Sequence, residues 1–323
     1  MKKIWFFLLS LCVLLALTWL WQAYSPLPLV RENTVVAFLL PEDSDPIWQE
    51  GVEQACLELG LSAETGLVYW VDVEKDASFA QALTDAKEQG AKVFFCLDSQ
   101  GQSAVLEQAA QFPQGEYFLL GGEMAKASPL DNVHGLEIAR WDAAYVLGCL
   151  AAEKSENGVL ACLLPDGEET SLACCYGFYQ GAKSVNPEIS LVAAVCTGES
   201  PLSFSQVTLG LMDQGADVLF SLVQSEEALA AAKAEGGSLT LAMDEEAADY
   251  TCVWNLSPMF TQIAASPRGE KLLAKKISFS YAQGVWSISP LDAQGKEALS
   301  ALGEQESPGP EERPEDILWL FTE

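Results

Sequence analysis

Histidine is almost missing from this sequence: among 323 residues there is one, His134. Acid–base chemistry built on imidazole would have to run through that side chain, for which a structural role is the default. Basic residues are scarce as well. Lys and Arg number 17 against 46 Asp and Glu, a formal charge of −29. Such a surface repels phosphate backbones, so nucleic acid is discounted as a partner. There is no CxxC, and one histidine gives no Cys/His zinc spacing. No Walker A loop, GxGxxG, HExxH, GxSxG or EF-hand occurs. Phosphate-loop, metalloprotease, serine-hydrolase and calcium-loop chemistry each lose their marker. No enzyme activity, cofactor or metal is expected. Adjacent acids such as Glu168-Glu169 and Asp244-Glu245-Glu246 arise by chance at this acidity.

What is present begins with the N-terminus. Lys2 and Lys3 precede an apolar run of eighteen residues, Ile4 to Trp21, broken only by Ser10 and Thr18. That length is enough to span a bilayer, and no small-residue cleavage site follows. The expectation is an uncleaved signal or anchor over residues 1–24, with the lysines cytoplasmic and the rest of the chain outside. A Pro-containing linker over 25–33 follows. Of the nine cysteines, Cys12 lies in the anchor. The other eight sit in apolar strand or helix patterns and are expected as buried free thiols.

The body of the chain alternates strand and helix patterns. Val35–Leu40 is continuously apolar, as in a parallel strand covered on both faces. A helix over Pro46–Leu59 follows, with Asp45 at its N-cap position, Pro46 at N1 and Gly60 ending it. Strands at Leu67–Val73, Val93–Leu97 and Tyr117–Leu120 alternate with helices at Ser78–Gln89 and Ser103–Gln111. This is a βαβ series and hence a parallel sheet. Val133–Ile138 then leads into a helix beginning at Arg140, whose small and apolar positions fall at helical spacing. After this crossing the rhythm restarts. Strands are expected at Val159–Leu164, Leu191–Cys196, Val218–Val223, Leu239–Met243 and Thr251–Trp254. Helices are expected at Ser171–Val185, Phe204–Gln214 and Ser225–Ala234.

Gln89-Gly-Ala-Lys-Val-Phe-Phe-Cys-Leu97 matches Gln214-Gly-Ala-Asp-Val-Leu-Phe-Ser-Leu222 at an offset of 125. Each is a helix end, a Gly cap and a buried strand, which supports two lobes of similar fold. Pro258–Leu273 reads as a helix returning to the first lobe. Ile277–Tyr281 and Val285–Ser289 read as a terminal hairpin, and Leu291–Leu302 as a short helix. The expected division is lobe I at 34–134, completed by about 258–302, lobe II at 135–257, and an acidic tail at 303–323.

Ligands of open α/β sheets sit beyond the carboxyl ends of strands. Asp98, Asp166, Gln224 and Asp244 each follow such a strand. A carboxylate there can accept hydrogen bonds from hydroxyls or pair with a cation, or it can be a solvated loop acid.

Asn132-Val-His-Gly135 with Trp141–Ala152, Gly158–Leu164 and Gly177-Phe-Tyr-Gln-Gly-Ala-Lys-Ser-Val-Asn-Pro-Glu-Ile189 resemble the basic membrane protein (BMP) family of substrate-binding lipoproteins. Gln214-Gly-Ala-Asp-Val-Leu-Phe220 and Ala242-Met-Asp244 continue the likeness, which covers about Val35–Ser289. The resemblance implies an α/β fold: a two-lobed type I periplasmic-binding-protein fold, each lobe a parallel sheet flanked by helices, here preceded by an N-terminal membrane anchor. It implies a small polar ligand, nucleosides being the family's class, bound between the lobes for an ABC importer. Asp244 matches the family's ribose-binding Asp. Trp48, in Asp43-Ser-Asp45-Pro-Ile-Trp48, stands either for the family's base-stacking aromatic or for a core residue. The family's Asp after the fourth strand falls at Gly121, with Glu123 nearby. Its Lys after the last second-lobe strand falls at Asn255, and its lipobox is missing. The reading is therefore an extracytoplasmic, membrane-anchored solute-binding protein partnered by an ABC permease. The alternative is a ligand-sensing or interaction module of the same fold, with a membrane sensor as partner.

Overall fold

The computed structural model describes residues 28–42, 44, 46–72, 75–97, 101–121, 129–243, 245, 247–266, 275–289 and 317–320. The chain's own contacts divide these into two units. The described residues up to Ser44, those of Cys56–Gly135 and those of Phe260–Ile277 form the first. Those of Asp45–Ala55, Leu136–Met259 and from Ser278 onward form the second. The expected anchor, residues 98–100, Glu123, and the pattern at 291–302 lie outside the described residues.

The first unit is built on a six-stranded sheet in the order β11-β5-β4-β3-β1-β2. Its strands are β1 Val35–Pro41, β2 Gly66–Val71, β3 Ala91–Cys96, β4 Glu116–Leu120, β5 Val133–Ile138 and β11 Lys276–Phe279. β1 pairs in parallel with β2 and β3, and β3 with β4. Val36 through Leu40 are fully buried, which is why β1 shows no alternation: both of its faces are covered. On one face α2 (Asp76–Glu88) and α3 (Gln102–Gln111) pack Phe79, Leu83, Ala86, Val105 and Ala109 against Ala37, Leu39, Phe94 and Tyr117.

Across the other face runs a row of rings, one per strand. Phe38 stacks on Phe95 at 5.3 Å, Phe95 on Phe118 at 5.2 Å, and Phe118 on His134 at 5.1 Å. His134 is 2% exposed, and its Nε2 lies 3.2 Å from Glu116 Oε2. The one histidine thus continues an aromatic ladder. The linker is tied down too, the Leu29 and Val30 amides donating to Ser266 and Ala264 at the end of α8 (Ser257–Ala265).

The second unit carries seven strands in the order β12-β10-β9-β8-β6-β7-β13. They are β6 Val159–Leu164, β7 Ser190–Val195, β8 Val218–Ser221, β9 Leu239–Met243, β10 Tyr250–Trp254, β12 Trp286–Ser289 and β13 Leu318–Leu320. Its neighbouring strands all pair in parallel except β10 with β12. The expected hairpin over 277–289 does not form. β11 joins the first sheet and β12 the second, because Tyr281–Gln283 makes a 3₁₀ turn that leads the chain away instead of folding it back. The contacts accordingly group residues from Ser278 on with the second unit.

Helices α4 (Arg140–Lys154) and α5 (Glu169–Val185) meet backbone to backbone. A Cβ on Gly148 would stand 1.9 Å from the Phe178 carbonyl oxygen, and one on Gly181 1.9 Å from that of Tyr145. No side chain fits there, so the small residues of the sequence pattern are a packing requirement. α6 (Phe204–Met212) starts with a capping box, Ser203 and Gln206 each bonding the other's backbone N–H. α7 (Glu226–Ala234) starts on Ser225, whose hydroxyl accepts the Ala228 N–H at 3.3 Å.

Candidate functional site

The carboxyl ends of β6, β8 and β9 open into a cavity of about 120 Å³ within the second unit. Pro165, Leu222 and Met243 form its apolar walls, one from each strand end. Arg140, Thr170, Ser171 and Gln224 are its polar lining, and Cys174 completes it.

Local sequence chemistry sets each of these. The β8 strand was expected to reach Val223, yet it stops at Ser221. The Ser221 hydroxyl donates to the Val223 carbonyl at 2.8 Å and accepts the Val223 N–H at 3.2 Å, closing a tight turn. Gln224 is left between that turn and the Ser225 cap, with its side chain exposed. Asp166 accepts the Glu168 N–H at 3.0 Å, an Asx turn that delivers the chain into α5. Thr170 and Ser171 then fall in the first turn of α5, and Arg140 is the first residue of α4. The glycine contacts between the two helices hold both starts at the cavity.

No hydrogen bond to the protein engages the side chain of Arg140, Thr170, Ser171 or Gln224 among the described residues. The Arg140 guanidinium lies over the Trp254 ring, 4.8 Å from its centroid. Trp254 packs edge-on against Trp286 at 5.0 Å and Trp48 at 5.5 Å. Burial pushes the Cys174 thiol up to about 12, with the Arg140 charge pulling the other way. Burial and the neighbouring Cys175 thiol raise Cys162 well above the ordinary range. These are neutral thiols at neutral pH, poor nucleophiles and poor metal ligands. The eight described cysteines are free, and among the described residues no cluster of His, Cys, Asp or Glu could hold a metal ion.

Of the positions singled out in the sequence, Gln224 lines the cavity. Asp166 follows the lining residue Pro165, but one of its carboxylate oxygens holds the Asx turn. Trp48 is half-buried in the tryptophan cluster. Asn255 is exposed, and its N–H donates to Val285 at 2.8 Å. Asp45, Asp98, Glu123 and Asp244 lie outside the described residues. Sequence reasoning missed Arg140, Thr170 and Ser171. The available signal was an arginine opening a helix directly after a strand, in a chain with few cations.

A family profile described as Bmp, ABC transporter substrate-binding protein PnrA-like, matches residues 39–251. No curated protein sequence matches the chain. Among solved structures, a solute-binding protein of an ABC transporter system from Conexibacter woesei superposes with a TM-score of 0.62 at 17% identity, covering 84% of this chain and 95% of that one. A transcriptional activator of the comK gene from Bacillus halodurans gives 0.65 at 16%, covering 85% and 99%. The arabinose-binding protein AraP from Geobacillus stearothermophilus gives 0.56 at 13%, covering 82% and 98%. These likenesses show the fold, that of the periplasmic binding proteins.

Proposed function

This chain belongs to the Bmp family of PnrA-like ABC transporter substrate-binding proteins, and from that premise we propose that it captures a small polar ligand outside the cytoplasm and hands it to an ABC permease. The observation that carries the reading is the second unit's cavity. Four polar side chains line one concave site at the carboxyl ends of strands, and among the described residues none of them hydrogen-bonds to the protein. Arg140, Thr170 and Gln224 are exposed and Ser171 is half-buried, so their donors and acceptors are open to a ligand that displaces water from the cavity. Gln224 can both donate and accept, Thr170 and Ser171 likewise, which suits hydroxyl-bearing ligands. The role is binding, without catalysis.

The finer reading is a nucleoside or related sugar-bearing ligand. Asp244 supports it, since it directly follows β9 and matches the family's ribose-binding Asp. An Asp244 carboxylate that accepts ribose hydroxyls contributes roughly 1.5–3 kcal/mol, so Asp244→Ala should weaken binding about tenfold to a hundredfold. Unchanged affinity by calorimetry would remove Asp244 from the site. A thermal-shift screen of nucleosides and sugars on the purified chain, repeated on Gln224→Ala, tests the cavity itself. A hit whose stabilisation survives Gln224→Ala undiminished sinks this assignment.

Residues 1–24 supply the proposed membrane anchor. Among the described residues, which do not include them, no helix is long and apolar enough to cross a membrane. N-terminal sequencing of the exported protein decides it, and a start near Ser25 would refute retention. A second reading, ligand sensing without transport, draws on the transcriptional activator of comK, a regulatory protein of this fold.

A further inference from the structure

We propose that the ligand carries an anionic group, a carboxylate or a phosphate, and that the Arg140 guanidinium receives it. This rests on the reading of the second unit's cavity as the ligand site. Among the described lining residues Arg140 is the one charged at neutral pH; the other polar groups are hydroxyls, an amide and a neutral thiol. A cavity with one fixed positive charge and several neutral donors is complementary to a ligand with one negative charge and hydroxyls.

Arg140 is exposed, on a surface rich in acids. The chain holds 46 acids for 17 basic residues, so an arginine has carboxylates to choose from on every side. Yet among the described residues no ion pair involves Arg140. Of the described acids that flank lining residues in the chain, three hold backbone N–H groups. Asp142, two residues along α4, accepts the Tyr281 N–H at 2.7 Å. Asp166 accepts the Glu168 N–H. Glu245, following β9, accepts the Ala247 N–H at 3.2 Å. Glu168 and Glu169 are exposed at the start of α5, where water and salt screen them.

The Trp254 ring explains how the guanidinium stays unpaired. It lies 4.8 Å from the guanidinium carbon, a cation–π contact that uses none of the N–H donors. A planar fork held by a ring, with its donors unused, is prepared for two parallel bonds to a carboxylate or phosphate. The Thr170 and Ser171 hydroxyls line the same cavity and can donate to the remaining oxygens. The competing account is that Arg140 only packs on Trp254 and is otherwise solvated.

The test uses the full purified chain and three probes: ribose, ribose 5-phosphate and ribonate. Binding is read by calorimetry and by tryptophan fluorescence, since Trp254 lies against the guanidinium. A charged hydrogen-bonding pair predicts that at least one anionic probe binds about tenfold to a hundredfold tighter than ribose. The phosphate and carboxylate arms identify which anion is preferred. Arg140→Gln should abolish that preference, and Arg140→Lys should restore part of it, a point charge in place of a fork. Melting curves of both variants establish that the fold persists. Equal binding of ribose and both anions, or an anion preference that survives Arg140→Gln, overturns the proposal. Ribose binding that falls in Gln224→Ala, with no tighter binding of either anion for Arg140→Gln to remove, keeps the cavity and removes the anion. Anion binding that depends on Arg140 but not on Gln224 keeps the anion site and removes the wider cavity assignment. If none of the three probes binds at millimolar concentration, the proposal fails.

Discussion

Gln89–Leu97 and Gln214–Leu222 have the same backbone and differ at one consequential position. In each, a helix ends on a glycine in the left-handed region, Gly90 at φ 91° and Gly215 at φ 90°. Each glycine N–H donates to the carbonyl three residues back, Lys87 or Met212, at 2.9 Å. Each then enters a buried strand, β3 or β8. Two residues past the glycine the chemistry parts. Lys92 is exposed and lines an open cavity at the amino ends of the first sheet. Asp217 is 5% exposed, and its carboxylate accepts the Ser155 hydroxyl at 2.7 Å, the Glu156 N–H at 2.6 Å and the Asn157 N–H at 3.0 Å. The same turn therefore leaves a free surface in one half and anchors the loop after α4 in the other. Internal likeness fixes the backbone, and a single side chain decides what the backbone holds.

The strongest way to break this comparison is to remove the anchor. Asp217→Ala removes the shared acceptor of two loop amides and a hydroxyl, a loss of about 3 kcal/mol expected from urea melts. A change below about 1 kcal/mol would mean the loop holds itself. Next come the shared glycines. A Cβ would meet nothing within 4 Å at Gly215, and only Val35 at 4.0 Å at Gly90, so the cost of alanine is conformational. Gly90→Ala and Gly215→Ala should each cost about 1–2 kcal/mol and match one another. A clear inequality would show that the two turns are alike only in sequence.

A smaller effect is visible in pH. Burial tends to raise the Asp249 carboxyl, but it is outweighed by Lys233 at 2.9 Å and by the Thr240 hydroxyl and N–H, each at 2.8 Å. The net shift is below the usual value. A depressed carboxyl contributes stability above its unfolded pKa of about 3.9 and loses it as pH falls through the folded value. Asp249→Asn should therefore melt lower than wild type at neutral pH, with the gap closing in strong acid. A gap constant with pH would refute the assignment. The smallest effect belongs to Lys92, whose replacement by alanine should leave the midpoint unchanged within error, in contrast to its counterpart Asp217.

Much of the fold was legible because buried parallel strands are continuous apolar runs. β1, β6 and β9 fall where the sequence puts them, to within a residue. Sheet membership was not legible at 277–289. Two short strands separated by a turn look the same whether they pair with each other or with different sheets, and only the long-range register separates the cases. The site was half legible. Gln224 could be found from its place after a strand. Arg140 could not, because a helix-opening arginine reads as surface until the ring beneath it and the missing carboxylate are seen. Thr170 and Ser171 are ordinary residues of a first turn, and only the convergence of three strand ends makes them a lining.

β13 pairs in parallel with the outer edge of β7, Leu318 opposite Val192 and Leu320 opposite Ala194. During synthesis β7 leaves the ribosome long before that partner does. Through the whole interval its outer edge presents unpaired amides and carbonyls, the template that nascent chains on a crowded polysome use to stick to one another. A host making this protein at high rate thus carries that exposure until the final strand emerges, and a purification tag fused after residue 323 only prolongs the wait.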